Sequence, residues 1–241
     1  MAVAALLLWT WRLTRPGHPA RIGAALAMFF MLTEAAVGAG LVLFRLVADN
    51  ASFARAMFMA VHLVNTFLLL GCLTVTAWWL SGGAPVRFGG RGRRAAGVLI
   101  GCAAVILAST SGAVAALGDT LFPSASLGQA LSADLSMASH ILIRLRVLHP
   151  VVAAAAALGL LTGAPHLVAR GDLSAERAAR AVRVFAATQI ALGFLNVLLL
   201  APVWLQLVHL LIADAIWIAF VLLAAIALGQ REGAAASAEA A

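Results

Sequence analysis

Three histidines stand in stretches that offer almost no other polar chemistry. AVHLVNTFLLL, residues 60–70, carries His62 followed three residues later by an amide. LVHLLIADAIW, residues 207–217, repeats the V-H-L arrangement around His209, and RLRVLHPVV places Arg144 and Arg146 just ahead of His149 and Pro150. An imidazole in an apolar medium has few uses: it ligates a metal or haem iron, relays a proton, or hydrogen-bonds to a neighbouring helix.

The medium is a membrane. The chain is 64% hydrophobic and 10% charged, against roughly a quarter charged in a soluble domain. Six runs, 22–47, 56–80, 95–117, 135–161, 184–200 and 205–228, are long enough to cross about 30 Å of hydrocarbon as helices. They are continuously apolar rather than alternating, which excludes a β-barrel. The fold class that follows is an all-α integral membrane protein.

The net charge of +7 is carried by arginine alone, with no lysine. The arginines cluster in alternate loops: Arg12, Arg15 and Arg21; Arg87, Arg91, Arg93 and Arg94; Arg170, Arg177, Arg180 and Arg183; and Arg231 in the tail. Topology accounts for that pattern without nucleic acid, and the positive-inside rule puts those loops and the C-terminus in the cytoplasm. No cleavable signal peptide is evident in MAVAALLLWTWR.

Residues 30–44, FMLTEAAVGAGLVLF, align without gaps to residues 185–199, FAATQIALGFLNVLL. The two segments share Phe, Thr, an acid or amide (Glu34, Gln189), Ala, Gly (Gly38, Gly193), Val and Leu at matching positions. Each precedes a helix with V-H-L, so the chain reads as a duplication, a common plan in membrane proteins. The division expected is 1–80 for an incomplete N-terminal half, 81–94 for a basic cytoplasmic loop, 95–228 for a four-helix C-terminal half and 229–241 for a disordered tail. Residues 1–13, too short to span, then match roughly 151–161. On that reading an eight-helix plan lacks its first helix and the start of its second.

Counted from the cytoplasmic ends at 1.5 Å per residue, His149 and His209 fall at similar depth in the outer half of the membrane. Two histidines facing each other between bundle helices make a bis-imidazole cage for a haem iron. Arg144 and Arg146 lie one to one and a half turns outward, where haem propionates would point, and an arginine fork binds a carboxylate in bidentate fashion. Pro150 frees the carbonyl of Arg146 and should kink the helix beside the ligand. An interhelical hydrogen bond, worth about 1 kcal/mol, is the competing reading for one isolated histidine. The repeat, the matched depth and the outward arginines favour the ligand. Zinc would need a Cys, Asp or third His at ligand spacing, and none is there.

The remaining polar residues read more simply. His140, nine residues before His149, turns to nearly the opposite face and suits the interface. His18 and His166 lie in solvated loops, while Cys72 and Cys102 suit packing. Glu34, at mid-membrane with a neutral counterpart, reads as an interhelical hydrogen bond beside a packing glycine. Asp214 faces about 140° away from His209 and suits a similar bond.

The duplication, a histidine followed by Pro or Arg in the second helix of each half, and V-H-L in the fourth together resemble the haem A synthase family of cytochrome oxidase assembly proteins. The resemblance runs from Met1 to about Leu228. It implies two four-helix halves: haem b held in the C-terminal half by residues matching His149 and His209, and substrate haem O in the N-terminal half, where His62 matches one of two histidines. The implied reaction oxidises a ring methyl of haem O to the formyl group of haem A by successive hydroxylation and loss of water. Implied surroundings are the bacterial inner membrane, with haem O synthase and oxidase assembly factors as neighbours; a homo-oligomer stays open. The family's first helix, its first histidine and an outside loop with an acidic residue implicated in catalysis are missing from the pattern. Asp119 and Asp134 lie in an outside loop, but of the cofactor half. The expectation is a chain able to bind haem b and poorly equipped for turnover, as a start codon placed too far downstream would produce. Two other classes remain: a non-catalytic b-type cytochrome, and a haem-free scaffold or transporter whose histidines only pack.

Overall fold

A computed structural model describes residues 1–89, 92–169 and 171–229. Among these residues the chain is helical without strands, and six segments are long and apolar enough to cross a membrane. The helices are α1 (Ala2–Leu13), α2 (Pro19–Leu43), α3 (Phe53–Leu80), α4 (Gly92–Leu121), α5 (Leu127–Leu135), α6 (Ile141–Arg146), α7 (Leu148–Gly163, continued by a 3-10 turn to Leu167), α8 (Leu173–Leu198) and α9 (Val203–Gly229). The tail beyond residue 229, with Arg231, lies outside the described residues, as do Arg91 and Arg170.

Two expected boundaries are corrected. The fourth spanning segment starts at Ile141, not 135, because residues 127–135 close into their own helix, capped at Ser126 by its side chain accepting from Gln129 N–H. The fifth starts at Leu173, eleven residues before the apolar run. Asp172 caps it, one carboxyl oxygen accepting from the N–H groups of Ser174 and Ala175 at 2.9 Å each. Glu176 in the first turn suits the helix dipole. Arg177, Arg180 and Arg183 therefore ride on a helix instead of a loop. The expected break near Pro150 is present: α6 ends at Arg146, Val147 is a turn residue and α7 begins at Leu148.

The helices pack both within the two expected halves and across them. In the C-terminal half α4 packs on α7, α7 on α8, α8 on α9 and α9 back on α4, closing a four-helix ring. In the N-terminal half α1 packs on α2 and α2 on α3, while α3 also lies against α9 and α4. The Arg21 guanidinium donates to the Trp11 carbonyl at 2.8 Å and to Thr14, tying the end of α1 to the start of α2. At the seam between halves Trp217 stacks on Phe67, centres 5.2 Å apart and planes at 12°. Its indole N–H donates to the Phe67 carbonyl at 2.6 Å.

The repeat is visible in the backbone. Arg45 and Leu200, equivalent positions just past α2 and α8, both adopt left-handed φ of 53° and 58°. In each case the next N–H closes a wide turn back to the helix: Leu46 N–H to the Leu41 carbonyl, and Ala201 N–H to the Asn196 carbonyl. Neither position is glycine, so each turn carries a cost of about 1–2 kcal/mol that the rest of the fold must hold.

Core and surface divide as lipid demands. α9 is the most enclosed span, nearly every residue from Ile216 to Gly229 being buried. On α2 and α8 large side chains such as Phe29, Leu32, Ile190 and Phe194 are exposed and face the hydrocarbon.

Candidate functional site

α4, α7, α8 and α9 bring the C-terminal pair together. His149 stands in the first turn of α7, directly after the break at Val147, and His209 stands in the second turn of α9. Their imidazole centres are 6.3 Å apart with planes at 86°. An imidazole nitrogen sits about 2.0–2.1 Å from a metal it binds and about 1.1 Å from its own ring centre, so two imidazoles on opposite sides of one ion have centres about 6.3 Å apart. The spacing fits a bis-histidine site.

Glycines on the facing helices make room for both rings. A Cβ on Gly112 of α4 would stand 2.9 Å from His149 Cε1, and one on Gly193 of α8 would stand 3.4 Å from His209 Cε1. Ser111, next to Gly112, places Oγ 3.1 Å from His149 Nδ1 and donates to the Ala108 carbonyl at 2.8 Å. With the hydroxyl proton on that carbonyl, Oγ is placed to accept from Nδ1–H in the tautomer that keeps the lone pair on Nε2. His209 Nδ1 is buried without a partner, and so is Gln189 Oε1 on α8.

The two arginines behave differently. Arg146 is buried, its guanidinium donating to Asp119 at 2.9 Å, to Asp134, and to the Ala130 carbonyl at 3.4 Å. That network clamps α4, α5 and α6 together. Arg144 is half-buried, and its side chain makes no hydrogen bond or ion pair among the described residues. His140 caps α6, its Nδ1 accepting from Leu142 N–H, and rests on Phe122 at 5.0 Å between ring centres, as an interfacial residue would.

In the N-terminal half His62 is half-buried on α3 beside Gly38 of α2, whose added Cβ would stand 3.8 Å from Cε1. This repeats the pairing of Gly193 with His209. Glu34 Oε1 lies 3.5 Å from His62 Nδ1. The interhelical hydrogen bond expected of Glu34 is present, to Asn65 and Thr66 of α3; the His62 neighbour was not expected, although Glu34 sits one turn before Gly38 and hence on the same face of α2. Ser111, Gly112, Asp119 and Asp134 were likewise not singled out as partners. Two cavities, of 580 and 860 Å³, are lined by none of His62, His149 and His209; the first lies beside Arg93, Arg94 and His166 at the arginine-bearing end.

A family model described as COX15-CtaA, cytochrome oxidase assembly protein, matches residues 1–221. The chain belongs to that family. Two similar curated proteins, from two strains of Thermus thermophilus, are both named protoheme IX farnesyltransferase. One is 48% identical over 230 residues and the other 47%; each alignment covers 95% of this chain and 38% of the relative. This chain therefore spans well under half the length of the relatives it matches. No solved structure matches. The matched range runs from α1 through α8 and into α9 as far as Val221.

Proposed function

We propose that the chain is a haem A synthase-type oxidoreductase of the membrane, which converts the ring methyl of haem O to the formyl of haem A and holds haem b between His149 and His209. The observation that carries this reading is the 6.3 Å spacing of those imidazoles in a chain of the cytochrome oxidase assembly family. When bound, haem b supplies one-electron chemistry; the protein supplies position and electronic tuning. Ser111 fixes the tautomer and orientation of His149, and Gly112 and Gly193 let both rings approach. Arg144, about one and a half turns outward of His149, is the arginine available to a propionate, because the Arg146 fork is already engaged by two aspartates. In the N-terminal half His62 would hold the iron of the substrate haem. With the arginine-bearing loops inside, the C-terminus of α9 faces the cytoplasm of a bacterial inner membrane.

The name carried by the Thermus relatives points to prenyl transfer, which handles a diphosphate. Such sites gather carboxylates to hold magnesium, whereas the described residues of this chain gather imidazoles and bring no three His, Cys, Asp or Glu together. We assign this chain the oxidation step and the prenylation to the remaining length of those relatives. A haem-prenylating enzyme is then the natural neighbour, since its product is the substrate. Expression with haem O supplied, followed by pigment extraction, tests the assignment: haem A in the extract supports it, and unchanged haem O from folded, haem b-loaded protein contradicts it.

A further inference from the structure

A carboxylic acid at mid-membrane is expensive, and the C-terminal half makes do with an amide, Gln189, at the equivalent place. Glu34 is held on several sides. Its Oε2 accepts from Asn65 Nδ2 at 2.5 Å, and the other proton of that amide goes to the Phe30 carbonyl at 2.8 Å. The Asn65 carbonyl oxygen accepts from the Thr33 hydroxyl at 2.6 Å, so the amide cannot turn over without losing these bonds. Thr66 Oγ1 contacts Oε1. These contacts leave Oε1 3.5 Å from His62 Nδ1, which is buried and makes no hydrogen bond of its own, and Gly38 leaves room for the imidazole against α2.

From this geometry we propose that Glu34 is the positioning residue of the N-terminal half. Its carboxylate accepts the Nδ1 proton of His62, turns Nε2 toward the substrate iron and makes that nitrogen a stronger donor than a free imidazole. In the C-terminal half the repeat sets a neutral amide, Gln189, in the place of Glu34 and His209 in the place of His62, and there Gln189 Oε1 and His209 Nδ1 are both buried without a hydrogen bond. The two halves thus differ in electronics through one side chain. The substrate-side iron is biased toward its ferric state and the cofactor-side iron is not.

The proposal rests on His62 being an iron ligand, and the test separates the two ideas. The full chain is loaded with haem b and haem O and titrated spectroelectrochemically, giving two components. His62→Ala should remove one of them, and Glu34→Gln should keep that component but favour its ferrous form about tenfold, a rise of roughly 59 mV for one electron. Gln189→Glu should lower the other component by a similar step, which keeps the test alive if Glu34→Gln folds poorly. Loss of a component in His62→Ala together with an unmoved potential in both swaps overturns the role of Glu34 and Gln189 alone. Two components surviving His62→Ala overturn the ligand reading and this proposal with it.

Discussion

His149 and His209 face each other across the C-terminal bundle, their imidazole centres 6.3 Å apart and their planes nearly perpendicular. The helices that carry them are neighbours of α4 and α8, so the pair is set by packing on both sides.

Gly112 is the point where α4 yields to His149. In Gly112→Ala the new methyl would meet Cε1 at 2.9 Å and nearby ring nitrogens at 3.3–3.4 Å, so the ring must move by several tenths of an ångström. Haem b loading should fall several-fold and the low-spin band should shift. Gly159→Ala, whose Cβ meets nothing within 4 Å, should load normally and gain up to about 1 kcal/mol of helix stability. Pigment content per protein, read beside thermal unfolding in detergent, checks both.

Arg144 and Arg146 should separate cleanly. Arg146→Ala strands Asp119 and Asp134 without their cation. Fully buried pairs lose about 3–5 kcal/mol in this way; with both carboxyls partly exposed we expect on the order of 2 kcal/mol, seen as a lower unfolding temperature in apoprotein and holoprotein alike. Arg144→Ala should leave the apoprotein unchanged and weaken haem b retention. Equal unfolding temperatures for wild type and Arg146→Ala would contradict the clamp.

The seam between halves turns on Trp217. Trp217→Phe keeps the stack on Phe67 and loses the bond to its carbonyl, about 1 kcal/mol. Trp217→Ala loses both and should cost about 3–5 kcal/mol. Thermal unfolding of the two variants should fall in that order, with Gly71, which lies against the indole, as the neighbouring position to probe next.

What the sequence could reveal was set by periodicity and repetition. The V-H-L motifs and the R-L-R-V-L-H-P segment pointed to His149 beside His209 and to the break before α7. An apolar-run criterion missed the first eleven residues of α8, because a helix continues into water when Asp172 caps it. It also merged residues 135–140 into a span that Ser126 and His140 divide with their caps. Side-chain partners at long range were beyond it. Asp119 meets Arg146 only because α4 packs on α6, and Asp134 only because α5 folds back toward α6. Glu34 meets His62 only because α2 and α3 pack with Gly38 between them. Alignment with a neutral glutamine pointed to the interhelical hydrogen bonds that Glu34 makes with Asn65 and Thr66, and gave no sign of the imidazole 3.5 Å away.

The central claim is the bis-histidine cage. The measurement is the reduced and oxidised absorption spectrum of the purified full chain beside His149→Ala and His209→Ala. The account predicts a low-spin haem b spectrum in the parent and its loss in each single variant, with His140→Ala indistinguishable from the parent. A parent spectrum that survives both replacements would contradict the account.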